Sequence, residues 1–310
     1  MRICHIKNVA GYASRLAQAQ RALGHEAIVL AHEHPFGFPY DVLMPSGLKW
    51  NLWMLKRWKW LREFDVLHIH GGIWPGQVFY PLFKDLTGMR TIVHFHGGET
   101  RTGKGLHWLR VADNVFYTPP DLQAWHPKGT WMPQPIDVPP EPAEWFEHER
   151  PMFVHFTTNE QNKGTTRVID MFFTAFGPLQ HSYLDFPTGG RKDFYIGKDV
   201  ELWVLRGIPY DHVESVIRRA DVVFDQIAPY GIYGYVAVEA MALGKPVLSP
   251  INRELYPTAC PVIYPHVTKL MELAHDESGR RHYGALGRAY VERVHAAPVV
   301  AQKALDIANL

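Results

Sequence analysis

The chain has few cysteines, no long apolar run, no excess of charge of either sign and no low-complexity tract, and each absence closes off a class of protein. Only Cys4 and Cys260 occur in 310 residues, far apart and in no CxxC or Cys/His spacing, which argues against a disulfide framework or a cysteine zinc site. A reducing, cytoplasmic setting is the expectation. Nowhere do about 18 apolar residues run together, so no membrane-spanning helix is expected, and the opening MRICHIKNVAGYASRL lacks the unbroken apolar core of a secretory leader. Lys plus Arg number 32 against 31 Asp plus Glu, so bulk charge gives no sign of a nucleic-acid partner. The 18 histidines are scattered along the sequence, and single histidines read as surface or hydrogen-bonded core groups, so no metal is expected.

A hydrophobic share of 46% with 20% charged residues is what a folded globular protein needs, and the length suits two domains of roughly 150 residues each. The opening reads as strand (RICHI), glycine turn (KNVAG) and helix (YASRLAQAQRALGH), then a second strand, EAIVLA. FDVLHIH, a helix around GQVFYPLFKDLTG, RTIVHFH and NVFYTP continue the alternation, which predicts a doubly wound α/β domain over 1–138. A proline-rich linker is expected over 139–150 and a second such domain over 151–310. Within the latter, GPLQHSYLDFPTGGRKDFYIGKD has no clear period and reads as a loop-rich insertion, and the tail reads as helices broken at Pro298. Ligands of such sheets bind outside the carboxyl ends of the strands.

In GIYGYVAVEAMALGKPV the helix after Gly234 is apolar on nearly every side except at Glu239. A carboxylate buried there needs donors: an Arg, backbone amides, or the paired hydroxyls of a ribose. Gly231 and Gly234 let the backbone approach a ligand where a helix presents free amides, an arrangement that suits a phosphate, although a plain loop-to-helix turn gives the same letters.

This stretch resembles the signature of family 4 glycosyltransferases, retaining enzymes of the GT-B fold, which implies two Rossmann-like doubly wound domains facing a central cleft. On that resemblance Tyr233 stands for a Phe, Gly234 for a Gly and Glu239 for the Glu that binds the nucleotide ribose. Gly231 falls where the family has a first Glu that contacts the transferred sugar, with Asp225 and Gln226 the nearest polar replacements. TTNEQNKGTTRVID is similar to the family's diphosphate-binding element: Lys163 and Gly164 match, Thr158 replaces its Arg, and Arg167 is the nearest substitute. VHFHGGETR is similar to a His-Gly-x-Asp stretch, which places His96 near the donor sugar and Glu99 at the acidic position, and Gly11 corresponds to the glycine loop after the first strand.

The resemblance implies metal-independent transfer of a sugar from a UDP- or GDP-sugar to an acceptor hydroxyl with retention, no cofactor beyond that co-substrate, and roles in charge stabilisation for His96 and Lys163. The departures at 158 and 231 keep an inactive nucleotide-sugar-binding protein, or a sugar-nucleotide epimerase, as alternatives. The acceptor, whether glycan, lipid or small molecule, stays open. Residues 48–62 place Trp50, Trp53, Met54, Trp60 and Leu61 on one helical side, with Lys56, Lys59 and Arg62 opposite and Arg57 interrupting. That pattern suits a helix at the inner face of a membrane, a helix packed on the sheet, or tryptophans stacking on carbohydrate.

Overall fold

Strand β1 (Arg2–Ile6) is buried along four of its five residues and β4 (Val66–His70) along all five, as expected of strands covered on both faces. The computed structural model describes the chain except residues 34–36, 46–48, 72–83, 85–87, 103–108, 110–111, 188–189, 228–229, 257 and 310, and omits the side chains of Trp50, Asn51, Met54, Leu55 and Asn309. The chain divides into two compact units, residues 1–137 with 295–310, and residues 138–294.

In the first unit the described strands are β1, β2 (Glu26–Ala31), β3 (Val42–Leu43), β4, β5 (Arg90–Phe95), β6 (Asn114–Tyr117) and β7 (Thr130–Trp131). They form a parallel sheet in the order 3-2-1-4-5-6-7. The order reverses between β1 and β4. Helix α1 (Tyr12–Ala22) follows β1 and buries Leu16, Ala19 and Gln20; α2 (Lys49–Leu61) lies between β3 and β4; α3 (Gly98–Arg101) follows β5. The helix expected around 76–88 falls largely outside the described residues.

In the second unit β8 (Met152–Thr157), β11 (Glu201–Arg206), β12 (Val222–Phe224) and β13 (Val247–Leu248) are parallel, in a sheet ordered 13-12-8-11-10-9. Here the reversal lies between β8 and β12. The short α4 (Glu160–Lys163) and α5 (Thr165–Phe176) follow β8, then come α6 (Tyr210–Arg219), α7 (Tyr235–Ala242), α8 (Val267–His275) and α9 (Glu277–Val294). α9 packs on α7, and Gly284 permits the approach: a Cβ there would lie 2.0 Å from the Gly244 carbonyl oxygen.

Three expectations change. The stretch read as a loop-rich insertion is an antiparallel hairpin, β9 (Gln180–Asp185) with β10 (Arg191–Ile196), at the sheet edge. All six residues of β9 are exposed, so no buried face imposes an apolar alternation on its sequence. The proline-rich stretch 139–150 is not a free connector: Ala143 N–H donates to the Leu243 carbonyl at 2.9 Å, and the Glu144 carbonyl accepts from Lys245 at 3.1 Å. The tail does not stay with the second unit. α10 (Ala297–Asn309) packs on α1 through buried Ala297, Val300, Ala301, Ala304 and Leu305, one helical face, with Pro298 in the first turn, where its missing N–H costs nothing.

A lysine–aspartate centre and a row of histidines

The second unit's candidate site stands at its sheet reversal, where β8 and β12 end side by side. Lys163 closes α4, and Gly164 links it to α5 in a left-handed conformation (φ 65°). Any Cβ at 164 would lie 2.5 Å from the Ile227 carbonyl oxygen, so only glycine fits. Asp225, the first residue after β12, is buried; its Oδ1 accepts from Lys163 Nζ at 3.0 Å and its Oδ2 from the Gly234 amide at 2.6 Å. One carboxylate therefore ties Lys163 to the glycine that caps α7. Gln226 is equally committed, donating to the Ile232 carbonyl at 2.7 Å, so both polar side chains weighed as substitutes for a residue-231 carboxylate hold the loop itself.

That loop explains Gly231. It sits at φ 64°, its carbonyl accepts from Asn252 N–H at 2.9 Å, and a Cβ would lie 3.1 Å from Asn252 Cβ and N. Tyr233, expected beside a donor, is 3% exposed: its ring stacks on Tyr256 and its hydroxyl bonds the Tyr290 hydroxyl at 2.9 Å. Its side chain belongs to the core. Glu239, half-buried on α7, accepts from the Tyr210 hydroxyl at the start of α6, a donor the sequence did not mark. Thr158 and Arg167 are both exposed.

In the first unit the turn between β1 and α1 is backbone-strained. Lys7 (φ 68°) and Ala10 (φ 49°) both take left-handed conformations that non-glycine residues rarely adopt, followed by Gly11 at φ 76°. A Cβ at Gly11 would lie 2.7 Å from the Phe38 ring. Lys7 reaches across the sheet reversal to the Gly71 carbonyl at 3.4 Å, and burial lowers its ammonium to about 8, with Glu99 pulling the other way. Glu99 accepts from the backbone N–H of His96, which fixes the end of β5.

His96 is one of five histidines brought together on one face of the sheet. Register places His5 beside His68 and His70 beside His94, and alternation puts His68 with His70 and His94 with His96 on the same side. A continuous chain of contacts runs Gln20 Oε1 to His5 Nε2 (2.8 Å), His5 Nδ1 to His70 Nε2 (3.0 Å) and His70 Nδ1 to His96 Nε2 (3.2 Å). Thr118 Oγ1 then meets His96 Nδ1 (3.5 Å) and His94 Nε2 (2.8 Å), and His94 Nδ1 meets His68 Nε2 (3.2 Å). Burial holds all five neutral, pushing His5 down to about 4 and His96 to about 3, and His68, His70 and His94 well below the usual range with mutual repulsion adding. Scattered in sequence, these histidines converge in space.

Residues 9–127 match the family model Glycosyltransferase Family 4. That match lies within the first unit. The architecture of the whole chain is the GT-B fold: over 100% of both chains it is similar, at 13% identity and a TM-score of 0.63, to the crystal structure of Anabaena Alr3699/HepE in complex with UDP. The Acinetobacter baumannii MurG structure aligns over 99% of both chains at 14% identity and a TM-score of 0.48. No curated protein matches the chain in sequence.

Within the first unit, α2 turns its apolar side inward: Leu61 is fully buried, and Trp53 and Trp60 pack against the core beside the sheet, while Lys56, Arg57 and Lys59 are exposed. Arg57, the interruption in the pattern, stacks its guanidinium over Trp53 at 4.3 Å. No described helix is long and apolar enough to cross a membrane. Lys7, Tyr210, Asn252 and the histidine row are the residues that sequence reading missed. The last had a visible sign, the two H-x-H alternations HIH and HFH in consecutive strands.

Proposed function

We propose that this chain is a retaining, metal-independent glycosyltransferase that takes a sugar from a UDP- or GDP-sugar, held mainly by the second unit, and moves it to an acceptor hydroxyl. The observation that carries the reading is the meeting of Lys163, Asp225 and the Gly234 amide at the β8/β12 reversal, with Glu239 on the helix that Gly234 opens. A reversal at the carboxyl ends of parallel strands is where α/β sheets bind nucleotides. Lys163 has further donors beyond the one given to Asp225, and the first amides of α7 add a fixed positive end; together they suit a diphosphate leaving group as its charge develops. Glu239, with Tyr210 holding one oxygen, is the acceptor for ribose hydroxyls. The first unit supplies the acceptor side, with Gly11 approaching donor and acceptor, His96 orienting the donor sugar and Lys7 in the same turn as Gly11. The fold shared with a protein crystallised with UDP supports a uridine nucleotide first.

A second reading has its own support. Gly231 occupies a backbone conformation that disfavours the glutamate the family places there, so an inactive nucleotide-sugar-binding protein is the rival. Calorimetric titration of UDP, GDP and their sugar conjugates, without added metal, tests both. Saturable binding to the wild type that Glu239→Ala weakens at least tenfold while folding is retained supports the donor site. Absence of binding sinks it, and binding without turnover across an acceptor panel favours the rival.

A further inference from the structure

We propose that the first unit is a metalloprotein unit: His70, His94 and His96 together bind one divalent transition-metal ion of the zinc type. Each offers a ring nitrogen, and the three nitrogens lie within 4.8 Å of one another. His70 Nδ1 and His96 Nε2 are 3.2 Å apart, close to the roughly 3.4 Å separating two nitrogens that each bind a tetrahedral zinc at about 2.0–2.1 Å. Three imidazoles and a fourth position for water or an anion make a recurrent zinc set, whereas an all-nitrogen set does not suit magnesium or calcium.

The outer contacts orient the ligands as metal sites require. The Gln20 amide oxygen can only accept, so His5 carries its proton on Nε2 and presents a lone pair at Nδ1. His5 Nδ1 therefore accepts from His70 Nε2–H, which leaves His70 Nδ1 unprotonated and aimed at His96. Two relays thus turn a lone pair of His70 toward the proposed ion. On the far side Thr118 Oγ1 holds His94 Nε2 at 2.8 Å, and the ion would take His94 Nδ1 from its present partner, His68 Nε2 at 3.2 Å. His70 and His94 are fully buried and His96 is half-buried, which leaves the set a way in from solvent. Positions on a covered parallel sheet ordinarily take Val, Ile or Leu, and a purely apolar row would fill the same space without five polar rings to satisfy. The ion takes no part in holding the donor phosphates, for which the lysine and helix amides of the second unit suffice, and the proposed transfer stays metal-independent.

The test uses the full chain, stripped with a chelator and titrated with Co²⁺ and then Zn²⁺. The expected result is one tight equivalent of Co²⁺ giving the intense visible bands of a tetrahedral ion, displaced by one equivalent of Zn²⁺. His70→Gln should weaken that equivalent at least tenfold, while His212→Gln, on the exposed surface, should leave it unchanged. Failure to bind a stoichiometric equivalent, or equal binding by His70→Gln, overturns the proposal. Should His70→Gln not fold, X-ray absorption of the zinc-loaded wild type decides: three imidazole ligands uphold the site and fewer reject it.

Discussion

At the scale of single residues the second unit's site is built on what glycine alone can do and on one buried carboxylate. Gly231→Glu places a side chain at φ 64° with its Cβ against Asn252. The left-handed backbone and the crowding should cost about 1–3 kcal/mol, read as a lower urea midpoint at unchanged slope, and turnover should not rise. A more active, equally stable variant would show that the loop tolerates a side chain and that the glycine is a simple loss. Asp225→Ala removes the acceptor of both Lys163 and the Gly234 amide. Because Asp225 is buried while Lys163 keeps about a fifth of its side chain in solvent, the discounted cost is about 2–3 kcal/mol. Nucleotide affinity should fall with it, since the lysine and the α7 amides lose their common anchor; unaltered affinity in a folded Asp225→Ala protein would detach the aspartate from the site.

Elements show which parts of the molecule the sequence can announce. Strands covered on both faces wrote themselves as short apolar runs between glycine, proline and aspartate, so β1, β4, β5, β8 and β11 were legible. β9 was not, because an edge strand exposed on both faces has no apolar period to show. Lys163, Gly164, Gly234 and Glu239 were legible through a motif, yet the partners that fix them come from other strands and loops: Asp225 was marked only as a stand-in for a carboxylate at 231, and no local spacing reveals Tyr210 or Asn252. The histidine row lies between these cases: two H-x-H alternations were visible, but their convergence depends on the register of three strands. α10 was legible as a helix and misplaced as to partner, since its apolar face does not say which unit receives it. Leu305→Asp tests that placement. A charge at a position 1% exposed should destabilise the first unit by about 3 kcal/mol or more. Hydrogen exchange should speed up in α1 and not in β8, whereas faster exchange in β8 alone would return the helix to the second unit.

For the molecule as a whole, both units bury a histidine that stays neutral outside any proposed ligand set. His155 in the second unit bonds the Phe224 carbonyl at 2.9 Å and Thr165 Oγ1 at 3.0 Å; His295 in the first bonds the Gln134 carbonyl at 2.9 Å. Burial lowers each to about 4, against 6.5 in the unfolded chain. Between these values the unfolded state binds protons that the folded state refuses, so stability rises with pH across the window. The contribution is complete above pH 6.5 and is lost as the pH falls toward 4, at up to about 3 kcal/mol for each histidine. Calorimetric melting from pH 7.5 down to 4.5 should show a melting temperature that begins to fall near pH 6.5, well above the range where carboxylates titrate. Replacing His295 by Asn, which keeps a donor for the Gln134 carbonyl without the titration, should lessen that fall in the first unit without abolishing it, since the buried histidine row titrates in the same direction, and leave the second unit's unchanged. A melting temperature level down to pH 5 would mean that both rings protonate freely in the folded state, and that their burial does not keep the charge out.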